Sequence, residues 1–162
     1  MKLIQLAPTD ARYHLATHKV VLTYTDVAAL GASATGTIPL IPTSGTFPAG
    51  TVARFAGLQL ITAFDFSDTG ITSLLIEVGD GSDTDRLLTQ TELAVDGTEI
   101  FYKASAASTQ PYAYLVADSI DALFTAANGG TPTLAECTSG EVHLYLHVTD
   151  PAILSRAKGS LG

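Results

Sequence analysis

Few residues in this chain are spaced for chemistry, and each such group also has a plain structural use. His143, Tyr145 and His147 alternate along one run. On a helix, histidines four apart can face one metal ion. On a strand, which rises about 3.3 Å per residue, they share a face but stand ~13 Å apart. Val142, Leu144, Leu146 and Val148 alternate with them, so Glu141 to Thr149 reads as a strand with these four turned inward. The histidines and Tyr145 then form an outer stripe suited to contact with a partner, not a chelate. His14 and His18 would chelate only if residues 11–18 were helical, and no third ligand accompanies them.

Asp80, Asp83 and Asp85 supply hard oxygen donors of the kind calcium takes. The spacing is not that of a helix-loop-helix calcium loop, because Gly81 is misplaced and no glutamate ends it. The plainer expectation is a turn made by Asp80 and Gly81. Asp83 or Thr84 then caps a helix, Asp85 favours its dipole, and Arg86 partly neutralises the acids. On that reading Asp83→Ala costs about 1 kcal/mol. Cys137 would be a nucleophile only beside an activating base, and a strand arranges neither His143 nor His147 as one, so it reads as a free structural thiol. There is no GxSxG, phosphate-cradling glycine loop or HExxH helix. The chain is therefore expected to be no enzyme, with no catalytic residue, cofactor or metal.

Composition narrows the class further. The 162 residues are 46% hydrophobic and 15% charged, with 16 Asp+Glu against 8 Lys+Arg for a net charge of −8. That balance argues against nucleic acid, whose phosphates reward clustered Lys and Arg. No apolar run approaches the ~20 residues of a membrane span. A single cysteine excludes an internal disulfide. The opening residues, broken by Gln5 and Pro8, lack a secretory apolar core, which predicts synthesis in a cytoplasm.

The elements that must position these groups are mostly strands. Alternation predicts them over Lys19 to Thr25, Thr35 to Ile41, Thr51 to Phe64, Ile71 to Gly79, Thr98 to Ala106, Tyr112 to Ala117 and Glu141 to Thr149, while Ser119 to Ala127 fits either a short helix or a strand and leans to strand-like or irregular structure. Asp26 to Leu30 predicts a helical turn behind Thr25, stopped by Gly31. Leu87, Leu88 and Leu93 at helix-like spacing predict a helix over Thr84 to Val95. No βαβ alternation is present, so the expected fold is all-β: an antiparallel two-sheet sandwich, jelly-roll-like, with one or two short helices.

Residues 1–18 read as an N-terminal arm, 19–150 as the sandwich domain and 151–162 as a C-terminal tail. Leu3, Ile4 and Leu6 make the arm apolar enough to pack along a neighbour. Phe55 and Ile61 lie at opposite parity to Val52, Leu58 and Leu60, implying either a two-sided apolar strand or a kink at Gly57. Leu3, Ile4, Leu6, Phe55, Ile61, His143, Tyr145 and His147 are thus the expected partner-contact residues, with self-association as a dimer or trimer.

Two stretches carry a resemblance. They are Phe47-Pro48-Ala49-Gly50-Thr51-Val52-Ala53-Arg54 and Glu77-Val78-Gly79-Asp80-Gly81-Ser82-Asp83-Thr84-Asp85-Arg86-Leu87-Leu88. Together with Thr62-Ala63-Phe64 and Ile71-Thr72-Ser73-Leu74 between them, they resemble small virion structural proteins of tailed bacteriophages, in a pattern spanning about residues 19 to 149 of which the middle third is the specific part. The resemblance implies a β-sandwich or jelly-roll capsid decoration or cement protein. Such a protein binds the major capsid protein on the capsid exterior, is made in the host cytoplasm, and has no nucleic-acid or membrane partner. Relatives of this kind also serve in tails, baseplates and fibres, and jelly rolls also host carbohydrate-binding domains, for which Tyr112 and Tyr114 would be the aromatic platform. The shared motif is a turn and cap, so no catalytic or ligand residue is implied.

Overall fold

The computed structural model describes residues 1–6, 16–93, 102–103 (main chain only), 111–127 and 131–151. His14, the expected tail beyond Pro151 and most of the strand expected over Thr98 to Ala106 lie outside the described residues. The elements are β1 (Lys2–Gln5), β2 (His18–Thr23), α1 (Tyr24–Ala28), β3 (Thr35–Ile41), β4 (Val52–Phe66), β5 (Ser73–Asp80), β6 (Asp83–Glu92), β7 (Tyr102–Lys103), β8 (Tyr112–Ala113), β9 (Ile120–Ala127) and β10 (Cys137–Thr149), with a 3-10 turn at Leu134–Glu136.

The strands form two antiparallel sheets. One runs β1-β2-β10-β4-β7, with β8 also on β4; the other runs β3-β9-β5-β6. From β2 to β10 the chain changes sheet at each step except the β5–β6 hairpin and the pair β7 and β8, which share one position beside β4. That path is the double Greek key of a jelly roll, with β1 added at one edge. Between the sheets lies one core. Val20, Leu22, Leu58, Leu60, Val142, Leu144 and Leu146 face Leu40, Leu74, Ile76, Val78, Ile120, Ala122 and Phe124, all buried.

β4 resolves the parity puzzle. Its register against β10 slips between Tyr145↔Gly57 and Leu146↔Phe55, leaving Ala56 as an extra residue. A bulge of this kind turns the following residues to the other face. Ala53 and Phe55 before it, and Leu58, Leu60 and Phe64 after it, consequently enter the same core. The kink is real and the two-sided strand is not. Phe55 is 1% exposed and offers no surface to a partner, whereas Ile61 is half-buried on the outer face.

The helix expected over Thr84 to Val95 is instead strand β6. Pairing with β5 slips twice, between Ile76↔Thr91 and Val78↔Leu88 and again before Asp80↔Asp83. These irregularities place Leu87 and Leu88 inward together and break the period of two, which imitates helical spacing. The short helix α1 starts two residues earlier than expected, with Thr23 at its N-cap and its main-chain N–H donating 2.9 Å to the Asp26 carboxylate. Residues 2–5, expected in an arm, are strand β1, paired with β2 from Lys2↔Val21 to Gln5↔His18. Leu3 packs on the core, Ile4 and Leu6 are half-buried, and Leu6 N–H donates to Thr17 C=O at 2.8 Å.

Candidate functional site

The most organised polar group lies at the β5–β6 turn. Asp80 ends β5 at 2% exposure, and its Oδ1 accepts from Ser82 N–H (2.9 Å), Ser82 Oγ (2.7 Å) and Asp83 N–H (3.0 Å). Its Oδ2 takes the Arg86 Nε–H. Burial alone would raise the Asp80 pKa; the bonds from Ser82 and Arg86, with the Arg86 charge, outweigh it and hold the carboxyl below its usual range. The aspartate that organises the loop is therefore Asp80, as a turn acceptor, and not Asp83 as a helix cap. Exposed Asp85 has a raised pKa because it shares a hydrogen bond with Asp83.

Arg86 extends this network across to the other sheet. Its guanidinium carbon stands 4.1 Å from the centre of the Tyr112 ring, a cation–π distance. Tyr112 meets Tyr114 edge-on at 4.8 Å, and Tyr114 meets Phe47 at 4.6 Å. The line Asp80–Arg86–Tyr112–Tyr114–Phe47 thus joins the hairpin of one sheet to the loop before β4 of the other. Tyr114 is 2% exposed, with no hydrogen-bond partner for its hydroxyl among the described residues, and burial drives its pKa up.

Compared with protein family models, curated proteins and solved structures, the chain matches none.

The outer face of the first sheet carries the His143–Tyr145–His147 stripe. His143 Nε2 lies 2.6 Å from Glu141 Oε1. Tyr145 is not an exposed platform: it is 1% exposed, lies opposite Lys19 on β2 and side-chain-free Gly57 on β4, and donates to Gln59 Oε1 at 3.2 Å. The two histidines are half-buried and not joined as ligands. Among the described residues no group of three His, Cys, Asp or Glu is placed to hold a metal ion. Cys137 is buried and free, and burial pushes its thiol up to about 12, which leaves it protonated and a poor nucleophile at neutral pH.

His18, His143 and His147 all titrate below the usual 6.5, each chiefly because burial disfavours the charged ring. The Lys19 charge adds to this at His143 and the Arg54 charge at His147, while Glu141 opposes it at His143. The folded state therefore binds fewer protons here than the unfolded chain. Stability from these sites is complete above 6.5 and falls as pH drops below it. Urea unfolding at about pH 7.5 and about pH 5.5 is expected to show the lower midpoint at the lower pH. A midpoint that rises on acidification would contradict the assignment.

The structure also opens a cleft at one end of the sandwich, about 390 Å³, lined in part by His18, Ile41, Pro42, Phe47 and Val148. Sequence reasoning had no signal for it, because its walls come from strands and loops far apart in the chain. The Arg86–Tyr112 contact is equally hidden, because only the fold brings Tyr112 to the β5–β6 turn.

Proposed function

We propose that this protein is a non-enzymatic virion structural component of a tailed bacteriophage, a decoration or cement protein that binds the outer surface of the major capsid shell and stabilises it. The observation that carries the reading is the resemblance of Phe47–Arg54 and Glu77–Leu88 to such proteins. Those two stretches are clamped into one rigid unit by the Asp80–Arg86–Tyr112–Tyr114–Phe47 line. The jelly-roll path is one that capsid proteins use, although lectins use it too. A cement protein stabilises by mass action: it binds the assembled shell and not its dispersed subunits, so every bound copy favours assembly. That role needs a stiff body and complementary surface, not moving parts or catalytic groups. The net charge of −8 suits an outer position, away from packaged DNA.

A tail or fibre module remains the competing placement. The carbohydrate-binding alternative has little support, since Tyr114 is buried and the Tyr112 ring is stacked with Arg86. The function is tested by adding purified protein to phage heads that lack it. The reading expects saturable binding and a raised temperature of heat-induced DNA release. Heads that neither bind the protein nor change their release temperature would refute it.

A further inference from the structure

The sequence has neither a charged residue nor a histidine from Val27 to Ala53, nor from Ala104 to Ala117, in a chain of net charge −8. The fold brings the described parts of these stretches together. Phe47 and Asp118 exchange main-chain hydrogen bonds of 2.7 and 3.2 Å; Gly50 N–H donates to Tyr114 C=O at 2.7 Å and Tyr114 N–H to Thr51 C=O at 2.9 Å. The result is a charge-poor end of the sandwich, whose acids are Asp118 at the base of the β8 bend and Asp150 beside His18. At its tip the bend after β8 holds Leu115 and Val116 in water, 87% and 67% exposed. Among the described residues no other large apolar side chain exceeds 40%.

Beside this knob lies the cleft of about 390 Å³. Ile41, Pro42, Phe47 and Val148 are part of its lining, and His18 and Asp150 are its ionisable groups. Knob and cleft are neighbours because Phe47, which lines the cleft, is bridged to Asp118 at the base of the knob. A cavity of about 150 Å³ already takes a benzene ring, so this cleft has room for a leucine and a valine side chain.

We propose that Leu115 and Val116 of one copy insert into the end cleft of a second copy, closing a two-fold pair. Charge selects the occupant. Two copies of an acidic chain repel over most of their surfaces, and they approach at least cost where charges are fewest. The adjacency of knob and cleft through the Phe47–Asp118 bridge suits an isologous contact, in which each patch serves as both donor and acceptor. Burial of two otherwise solvated apolar side chains favours the pair. This inference does not depend on the virion role.

Sedimentation equilibrium of the full chain over a range of concentrations tests it. The wild type is expected to dimerise, and Leu115→Asp to weaken the dimer by at least about tenfold, since it replaces an apolar contact by a carboxylate in a cleft that already holds Asp150. Leu115 is exposed, so thermal melting at low concentration should be unchanged. Thr46→Arg, at an exposed residue of the cleft lining, should weaken it likewise. An equimolar mixture of the two variants should pair again. One of its two contacts is then wild type, and in the other the introduced carboxylate meets the introduced guanidinium. A wild type that is monomeric at every concentration overturns the proposal. So does a dimer that both variants leave intact, or a mixture that stays monomeric.

Discussion

Gly140→Ala is expected to cost about 3 kcal/mol, because it combines backbone strain with a core clash. Gly140 sits in β10 with φ +132°, a region that side-chain-bearing residues rarely adopt, and an added Cβ would lie 2.3 Å from the Phe64 ring. Phe64 is fully buried between the sheets and cannot move aside without opening the core. Gly31→Ala is the control. Its φ is +90°, yet nothing lies within 4 Å of the added carbon, so only the backbone cost of about 1 kcal/mol applies. Urea unfolding of both variants measures the difference, and equal losses would show that the Phe64 ring does not crowd Gly140.

Asp80→Ala is expected to be comparably severe, about 3 kcal/mol, while Asp83→Ala stays within about 0.5 kcal/mol. Removing the Asp80 carboxylate strips the acceptor from the Ser82 and Asp83 main-chain N–H groups and leaves Arg86 without its buried partner. Asp83 is joined to Arg86 only at 3.6 Å and with 41% of its side chain exposed. The pH dependence has a definite sign. Because the folded pKa of Asp80 is depressed below 3.8, its contribution is present above that value and is lost as pH falls through the folded pKa. Acid unfolding of Asp80→Asn should therefore be shallower below about pH 4 than that of the wild type. A larger loss from Asp83→Ala than from Asp80→Ala would restore the helix-cap reading of this loop.

How much of this was legible depended on whether a strand keeps its period. β3 alternates without interruption over most of its length and is readable from residue types alone, whereas β9 alternates in burial but its residues also fit a short helix. β10 is the clearest: Val142, Leu144, Leu146 and Val148 alternate strictly and are buried in the core. These elements suffice for a two-sheet sandwich. β4 and β6 carry bulges, and a bulge is a property of two paired strands that one strand's sequence does not print. For that reason Phe55 looked like surface, and Leu87-Leu88 looked like a helix. The burial of Tyr145 is hidden for a related reason. Its stripe is on the outer face as expected, but its burial depends on the cross-strand glycine, Gly57, whose register sequence alone does not set.

At the polar sites, local chemistry was legible and long-range contact was not. That Asp80, Gly81 and Ser82 make a turn follows from their side chains; that Arg86 reaches through the turn to Tyr112 requires β8 to be brought beside β6. The outward Leu115 and Val116 were indistinguishable in sequence from strand residues, since both are strong strand formers.

The central claim, attachment to the exterior of a phage head, is tested most directly by electron cryomicroscopy of intact virions with and without this gene product. The account predicts density for a small jelly roll on the outer surface of the shell, repeated with the symmetry of the major capsid protein and missing from the deletion particles. Density confined to the tail or baseplate, or particles unchanged by the deletion, would contradict it.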